Sequence, residues 1–460
     1  MTFVFYDLET TGLSPAFDQP LQFAAILTDD AFREIERVNL RCRISPHIIP
    51  SPWALAVTGV HPAQLLDPAL PTPFEFTQEI CHLIDRWSPA IWTGFNSIRF
   101  DEEVLRQAFY QNLQPDIFAT QFNGNTRFDI LTALYAVWHR QPDIFEWPVD
   151  ETGRVRFKLD RIAPMNGFDG HNAHDALGDV EATIHIARHI AERAPELWAE
   201  LLSNREKAQV QARLEAFQPM ALIERFGGGP PRATIGCFCG TSASNANQAA
   251  FFDLEASNPV DLLAADDATL FAAVDASPKA IRSLAINKSP ALLDLPTPSA
   301  EHIMRAEIIA NAPEFRSRVA KALAARFPED TATPPPPVEK KIFGGFYSHA
   351  DKALLAEFQR ADWPQRQEIA ATLGDARLRQ LGRRLVAFNS PELLSAEERT
   401  QFNQYLQEKW SAPDAPETEW MTFSKAWAAI EELRTQAAVE AADLDAMSAF
   451  VDQFRAAMRR

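Results

Sequence analysis

The chain opens with a period-two pattern. Phe3-Val-Phe-Tyr-Asp7-Leu-Glu9-Thr-Thr-Gly12 is rich in aromatic and β-branched residues and closes on a glycine, which predicts a β-strand. That period puts Asp7 and Glu9 on one face and turns Leu8 to the other, toward a core. Pro15 and Pro20 mark a loop, Gln22–Thr28 is a second apolar strand, and Val38–Ile44 alternates as a third. The period then lengthens. Trp53–Val60 and Pro73–Trp87 read as helices, the second with Phe76, Ile80, Leu83, Ile84 and Trp87 at helical spacing. Ala90–Phe95 is a further buried strand, leading into Asp101-Glu-Glu103 at the start of a helix whose apolar side is Val104, Leu105, Ala108 and Phe109. Asn125–Asp129 is expected to begin another helix, running to about Trp138, and Gly153–Ile162 is a basic strand or loop. Leu177, Val180, Ile184 and Ala187 recur three or four apart, so a helix carries Asp179. Consecutive strands followed by helices predict an α/β or α+β core on a mixed sheet.

From about Leu197 the pattern changes. A charged helix over Asn204–Phe217 leads to Gly227-Gly-Gly-Pro-Pro231, and short strands follow near Thr234–Cys239 and Ala249–Leu254. Helical pieces are expected near Pro259–Val274 and Ser299–Phe327, giving a small β-rich unit with helical insertions, and Pro328–Pro337 reads as loop or polyproline. Beyond Gly345 the chain reads as helical, over Asp351–Ala361, Pro364–Ala371, Arg377–Leu385, Ala396–Trp410 and Glu419–Met458.

At 460 residues the chain is long enough for two or three domains. Its net charge of −18 argues against indiscriminate coating of DNA, although it leaves room for a locally basic groove. No apolar run is long enough to span a membrane. The first residues carry an acid within the apolar run and no basic lead, so a secretory signal is not expected. Cys42, Cys81, Cys237 and Cys239 do not have zinc-ligand spacing and are read as reduced thiols, which predicts a cytoplasmic protein.

Two acids on one strand face repel each other and resist desolvation, and a divalent cation relieves both problems. Asp101, at a strand-to-helix junction, faces the same edge. His174, five residues before Asp179, titrates near neutrality and is suited to take a proton from an attacking water. His171 is the competing histidine, whereas His185 and His189, well inside the helix, are expected to be structural. Arg127 has two readings, a phosphate contact or a partner for a nearby acid. Arg154, Arg156 and Lys158 are a basic stretch suited to a nucleic-acid backbone or to a solvated edge. The run Arg377, Arg379, Arg383 and Arg384 reads in the same two ways.

Asp7-Leu-Glu9-Thr-Thr-Gly, Asn96-x-x-x-Phe-Asp101 and His174-x-x-x-x-Asp179 stand in the order of the three motifs of the DEDDh (DnaQ-like) 3′→5′ exonucleases, which this chain resembles. Gln22-Phe-Ala-Ala-Ile, Arg99-Phe-Asp101-Glu-Glu-Val, Asn172-Ala-His-Asp-Ala176, Ile286-Asn-Lys-Ser-Pro290 and Gly344-Gly-Phe-Tyr-Ser-His-Ala-Asp351 resemble the exonuclease I branch. The likeness is loose between about Leu222 and Leu254. The resemblance implies a DEDDh exonuclease domain over 1–195 (an RNase H-like mixed sheet with flanking helices). It also implies an SH3-like β-rich domain with helical insertions over 196–348 and a helical C-terminal domain over 349–460.

The activity implied is processive, Mg²⁺-dependent 3′→5′ degradation of single-stranded DNA to 5′-mononucleotides by two-metal-ion hydrolysis, in DNA repair and recombination. Two Mg²⁺ ions are expected, with Mn²⁺ able to substitute. By resemblance Asp7, Glu9 and Asp179 hold one ion, Asp7 bridges to the second with help from Asp101, and His174 is the general base. Glu9 and the turn from Thr10 and Thr11 to Leu13, with Phe100, would seat the terminal nucleotide. Lys158 matches a basic residue of the family near the phosphate, a point charge in place of a bidentate fork. The implied partners are single-stranded DNA and the C-terminal tail of single-stranded DNA-binding protein, with no membrane and a monomeric state. The alternatives are a related RNA-trimming or proofreading exonuclease and a catalytically silent DNA-binding adaptor.

Overall fold

The structure, a computed structural model, describes residues 1–169, 175–275, 277–326, 336–436 and 439–457. His171, His174 and the proline-rich stretch from Pro328 to Pro335 lie outside the described residues. The first sheet contains β1 (Phe3–Thr10), β2 (Pro20–Thr28), β3 (Glu34–Arg41), β4 (Ile91–Gly94) and β5 (Thr126–Asp129), in spatial order β3-β2-β1-β4-β5. β1 pairs antiparallel with β2 and parallel with β4, so the sheet is mixed, as the succession of strands and helices predicts. Its helices are α1 (Pro52–Thr58), α2 (Pro73–Trp87), α3 (Asp101–Gln111), α4 (Ile130–Arg140), α5 (Leu159–Met165) and α6 (Ala176–Arg193).

The alternation in β1 divides the core. Val4, Tyr6 and Leu8 pack with Ile80, Leu83, Trp92 and Phe109 from α2, β4 and α3. Phe3 and Phe5 pack on the other face with Val180, Ile184 and Ala187 of α6. Asp7 and Glu9 share the parity of Phe3 and Phe5, so the period of the strand brings them to the α6 side.

Asn125–Asp129 is not the start of a helix but the body of β5, in parallel register with β4, and α4 begins one residue later. The reason is capping: the Asp129 carboxylate accepts from the backbone N–H of Leu131 (3.0 Å), so Asp129 is the N-cap and the chain before it stays extended. The single helix expected over Glu419–Met458 is two, Phe423–Gln436 and Ala441–Ala457, and the pieces at 259–274 and 299–327 are also each divided, the latter by Pro313 at a helix start.

A second sheet holds β6 (Met220–Glu224), β7 (Arg232–Thr241), β8 (Gln248–Asp253), β9 (Ile281–Ala285) and β10 (Leu292–Asp294), all antiparallel, in order β10-β6-β7-β8-β9. Helices Ala300–Ala310 and Pro313–Ala325 bury Ile309, Phe315, Val319 and Leu323 against it. At Gly236 a Cβ would fall 2.3 Å from the Phe252 carbonyl oxygen, so only glycine fits between β7 and β8 there.

The C-terminal helices are docked on the first sheet's own elements. Phe74, Tyr110 and Leu113 share a core with Leu355, Phe358 and Leu381, and Tyr110 Oη donates to the Val338 carbonyl (2.8 Å). Leu21, Ile49 and Leu55 pack with Trp410, Phe423 and Ile430. Between these contacts Glu339, 4 % exposed, accepts from Arg384 (2.7 Å) and Lys409 (3.3 Å), while Arg384 also donates to Gln111 of α3 (2.9 Å). The two cations outweigh burial and hold the Glu339 carboxyl at about 2, below its ordinary range.

Two members of the expected basic run, Arg377 and Arg384, are therefore interior ion pairs rather than a DNA-facing surface, Arg377 being bound to Asp375 (2.6 Å) and to the carbonyls of Lys341 and Gly345. Glu339→Ala leaves two buried cations without a partner and is expected to cost about 3–5 kcal/mol. Chemical denaturation monitored by tryptophan fluorescence measures the loss, and an unchanged midpoint would refute it.

Candidate metal centre

Four acids converge at the C-terminal end of β1. Asp7 and Glu9 come from the strand, and Asp179 comes from the first turn of α6, which lies across that face. Each of the three offers a carboxylate oxygen, and these oxygens lie within 4.8 Å of one another. Asp101 reaches the same place from the first residue of α3. It is buried, and its Oδ1 accepts from the backbone N–H of Leu8 (3.2 Å), between the two acids of β1. The α3 start is thereby fastened to the strand end.

The cost of this arrangement appears in the proton affinities. Asp7 sits well above the usual carboxylate range, through burial and then through Asp101, Asp179 and Glu9. Glu9 is pushed up to about 8, by burial first and then by Asp179, Asp101 and Asp175, with Arg41 opposing. Asp101 is raised chiefly by burial, against the hydrogen bond from Leu8. Carboxylates are hard ligands, and a divalent cation among them would remove both the repulsion and the desolvation penalty, so the donor set fits such an ion.

Sequence reasoning passed over some of the supporting residues. Asp129 is buried at the β5–α4 junction, and its carboxylate accepts from the N–H groups of Asn96 (3.1 Å) and Ile98 (3.2 Å). It thus shapes the loop that delivers Asp101, with Asn96 in a left-handed conformation (φ 65°). An aspartate just ahead of an apolar helical run is an N-cap signal that would have located it. Asp175, the residue after His174, accepts from Gln22 Nε2 (2.9 Å) and pairs with Arg41 (3.4 Å). A polar Gln22 in the middle of an apolar strand was the available signal.

The remaining sequence candidates divide. Thr10 and Thr11 are buried and spend their hydroxyls within the turn, Thr10 donating to the Gly12 carbonyl (2.7 Å) and Thr11 to Asp18 (2.8 Å). A Cβ on Gly12 would lie 2.6 Å from Asp18 Oδ2, so a larger residue there would have to displace the carboxylate that holds Thr11 and the Ser14 N–H. Leu13, by contrast, projects from the turn with 85 % of its surface exposed. Phe100 is half-buried just ahead of α3, and Lys158 is exposed just ahead of α5. Arg127 corrects the phosphate reading: it points inward, 6 % exposed, paired with Glu102 (2.5 Å) and donating to the Asn287 carbonyl. Arg106 also pairs with Glu102, so this acid and two guanidinium groups form an interior network beneath the site. His185 and His189 bond the carbonyls of Asn166 and Ile144 and are structural, as expected.

The raised Glu9 sets a pH dependence. Folded, Glu9 keeps its proton up to about pH 8; its unperturbed value is 4.5. The folded state thus binds more protons across that window, and stability falls as pH rises through it. In chelator, the melting temperature is expected to drop between about pH 5 and pH 8. Added Mg²⁺ should restore it at the upper end and do little at the lower. Asp7→Asn should raise the melting temperature in chelator at the upper end and remove most of the Mg²⁺ effect. Calorimetry checks all three, and a flat profile in chelator would overturn the argument.

A family model described as Exonuclease matches residues 4–187, which include all four acids, and one described as Exonuclease I C-terminal domain matches residues 336–454. The chain is 29 % identical to exodeoxyribonuclease I of Escherichia coli over 409 residues, covering 83 % of this chain and 84 % of that one. Among solved structures, E. coli exonuclease I in complex with a dA16 oligonucleotide superposes with a TM-score of 0.84 at 26 % identity, covering 99 % of both chains. The zinc-bound form of the E. coli enzyme with single-stranded DNA superposes at 0.82 and 26 % identity over 100 % of both. A structure described as SSB/exonuclease I in complex with an inhibitor superposes at 0.82 and 26 % identity, over 98 % of this chain and 99 % of that one. With the acid-bearing sheet, the antiparallel sheet and the terminal helices matched together and in order, the chain belongs to the exonuclease I family.

Proposed function

We propose that this protein is a processive 3′→5′ exonuclease that removes 5′-mononucleotides from single-stranded DNA using two divalent cations, Mg²⁺ or Mn²⁺. The observation that carries the reading is the approach of Asp7, Glu9 and Asp179 to within 4.8 Å at the end of β1. These three would hold one ion, and Asp7 with Asp101 the second. When bound, the ions supply charge neutralisation on the scissile phosphate and a hydroxide-like nucleophile near neutral pH.

The side chains of this chain supply the rest. The burial that raises Asp7 and Asp101 strengthens the charge interactions in the site. His174 would accept the proton of the attacking water. Asp175, held by Gln22 and Arg41, fixes the chain one residue after it. Because Thr10 and Thr11 are committed to their turn, the terminal nucleotide would meet the backbone of that turn, with the exposed Leu13 against its base and Phe100 beside it. Lys158 would meet a phosphate as a point charge.

The chain is read as three domains, over 1–195, 196–348 and 349–460, which the two separate sheets and the terminal helices support. We further read it as a monomer that engages the acidic tail of single-stranded DNA-binding protein, in support of which a relative has been solved as SSB/exonuclease I. Among the described residues no helix is long and apolar enough to cross a membrane. The free thiols of Cys42, Cys237 and Cys239 are buried, which fits a reducing cytoplasm, and the activity is read as serving DNA repair and recombination.

Asp7→Ala and Asp179→Ala should each lower the hydrolysis rate by ~10³-fold or more, the several kcal/mol of charge stabilisation that a divalent site provides. The assay is nucleotide release from labelled single strands, with Mg²⁺ or with chelator, blocked at either end. A 3′ block should stop the reaction and a 5′ block should not. Full activity of either variant, equal rates with chelator, or faster turnover of matched RNA would sink the reading.

A further inference from the structure

The turn between β9 and β10 reaches across to the first sheet and touches the helix that carries Asp101. Arg127 of β5 spans the gap. Its Nη1 donates to Glu102 (2.5 Å) and its Nη2 to the Asn287 carbonyl in the turn. Beside it, Lys288 Nζ lies 3.4 Å from Glu103 Oε1. Glu102 is 3 % exposed and also accepts from Arg106 and from Gln121 Nε2 (2.9 Å), while Arg106 donates to Glu103 as well (2.7 Å). The acids that open α3 therefore face three ways. Asp101 meets the Leu8 N–H of β1 (3.2 Å), Glu102 meets β5, and Glu103 meets the turn of the second sheet. That turn is a rigid prong. Asn204, fully buried, donates to the carbonyls of Pro290 (3.0 Å) and Leu292 (2.8 Å), and the Ile286 N–H donates to the Asn247 carbonyl (2.9 Å). Ser289 is buried and left-handed (φ 45°), a conformation that persists in a residue with a side chain only where its surroundings impose it.

Glu102 and Glu103 follow Asp101 in the same helical turn, so whatever holds them also sets where Asp101 stands. We propose that Arg127 and Lys288 are positioning residues for hydrolysis: they clamp the turn of the second sheet onto the first turn of α3 and so fix Asp101 among the other acids. The inference rests on the proposed function, in which Asp7 and Asp101 hold the second cation, and it gives the second sheet a part in the chemistry. The partners of a metal ligand orient it, and losing one weakens metal binding about 10- to 100-fold. The two arms differ in strength. Arg127 is 6 % exposed and bridges both sides, whereas the Lys288 side chain is 43 % exposed and its ion pair is correspondingly weak.

The test uses the full chain and two readouts that need no turnover. The first is amide hydrogen exchange at Leu8 in chelator, because Asp101 is what holds that N–H. The second is calorimetric titration with Mn²⁺. Arg127→Lys keeps the charge but loses the fork that reaches both partners. It should speed Leu8 exchange and weaken one of two Mn²⁺ ions, each by about 10-fold. Lys288→Ala should do the same by about 3-fold, and Lys288→Arg should restore wild-type values. The other Mn²⁺ should keep its affinity in every variant. With Mg²⁺ and a single strand, the metal concentration for half the maximal rate should rise in the same order while KM for the strand holds. Lys288 is exposed, so its variants decide the matter if Arg127→Lys misfolds. Unchanged Leu8 exchange would overturn the clamp, even in variants that melt earlier, since the contacts would then be a brace alone. Faster Leu8 exchange in the variants of a chain that hydrolyses no strand, or binds a single Mn²⁺, would leave the clamp standing and sink the proposed function.

Discussion

Mutual repulsion among buried carboxylates is the constraint around which the first sheet is arranged. Asp7 and Glu9 have no free choice of neighbours, because the period of β1 fixes them on the face that α6 covers, and α6 brings Asp179 there. Three acids so close, beside the buried Asp101, repel one another, and protonation or a cation among them relieves that repulsion. The neighbouring elements hold the strained arrangement in place. Leu8 N–H on Asp101 joins α3 to the strand, and Asp129 caps α4 while binding the loop that leads to Asp101.

Beneath the site, charge is organised in the opposite way. Glu102 lies between Arg106 and Arg127, and Glu339 between Arg384 and Lys409, each acid buried with two cations. These pairs satisfy their own charges and leave nothing for a ligand. The contrast separates function from scaffold more sharply than residue type does. A cluster of acids without buried cations suits a bound divalent ion, while arginines with buried acids are structural however basic the local sequence looks.

The second sheet and the terminal helices matter through where they are attached. Helix Ala376–Asn389 reaches α3 through Arg384 and Gln111, and helix His349–Arg360 lies on α2 and the end of α3 through Gln359, which bonds Gln78 and the carbonyls of Asn112 and Leu113. α3 therefore carries Asp101 at one end and the C-terminal docking surface at the other. Lys288, just after β9, pairs with Glu103 in the first turn of that helix, so all three parts of the chain meet on one short helix.

The sequence by itself determined the strand carrying Asp7 and Glu9, the junction at Asp101, the helix carrying Asp179 and the mixed sheet, because each is written in local periodicity and in residues two to four apart. The resemblance to the DEDDh exonucleases stood on the same motifs. The sequence also placed the first four helices of the C-terminal third to within a few residues, although their apolar periodicity is interrupted, and it read the last two as one. What only tertiary structure decided were the partners that distance in sequence conceals. Arg127 and Glu102 are 25 residues apart, and nothing local says that the arginine turns inward to meet the acid. Asp129 looked like part of a helix until pairing with β4 kept Asn125–Asp129 extended. The short strands β6, β9 and β10, too brief for a period to show, exist because neighbouring strands satisfy their backbone groups. Local pattern specifies an element, whereas the choice of which buried charge meets which is settled only when separate elements are packed together and water is excluded between them.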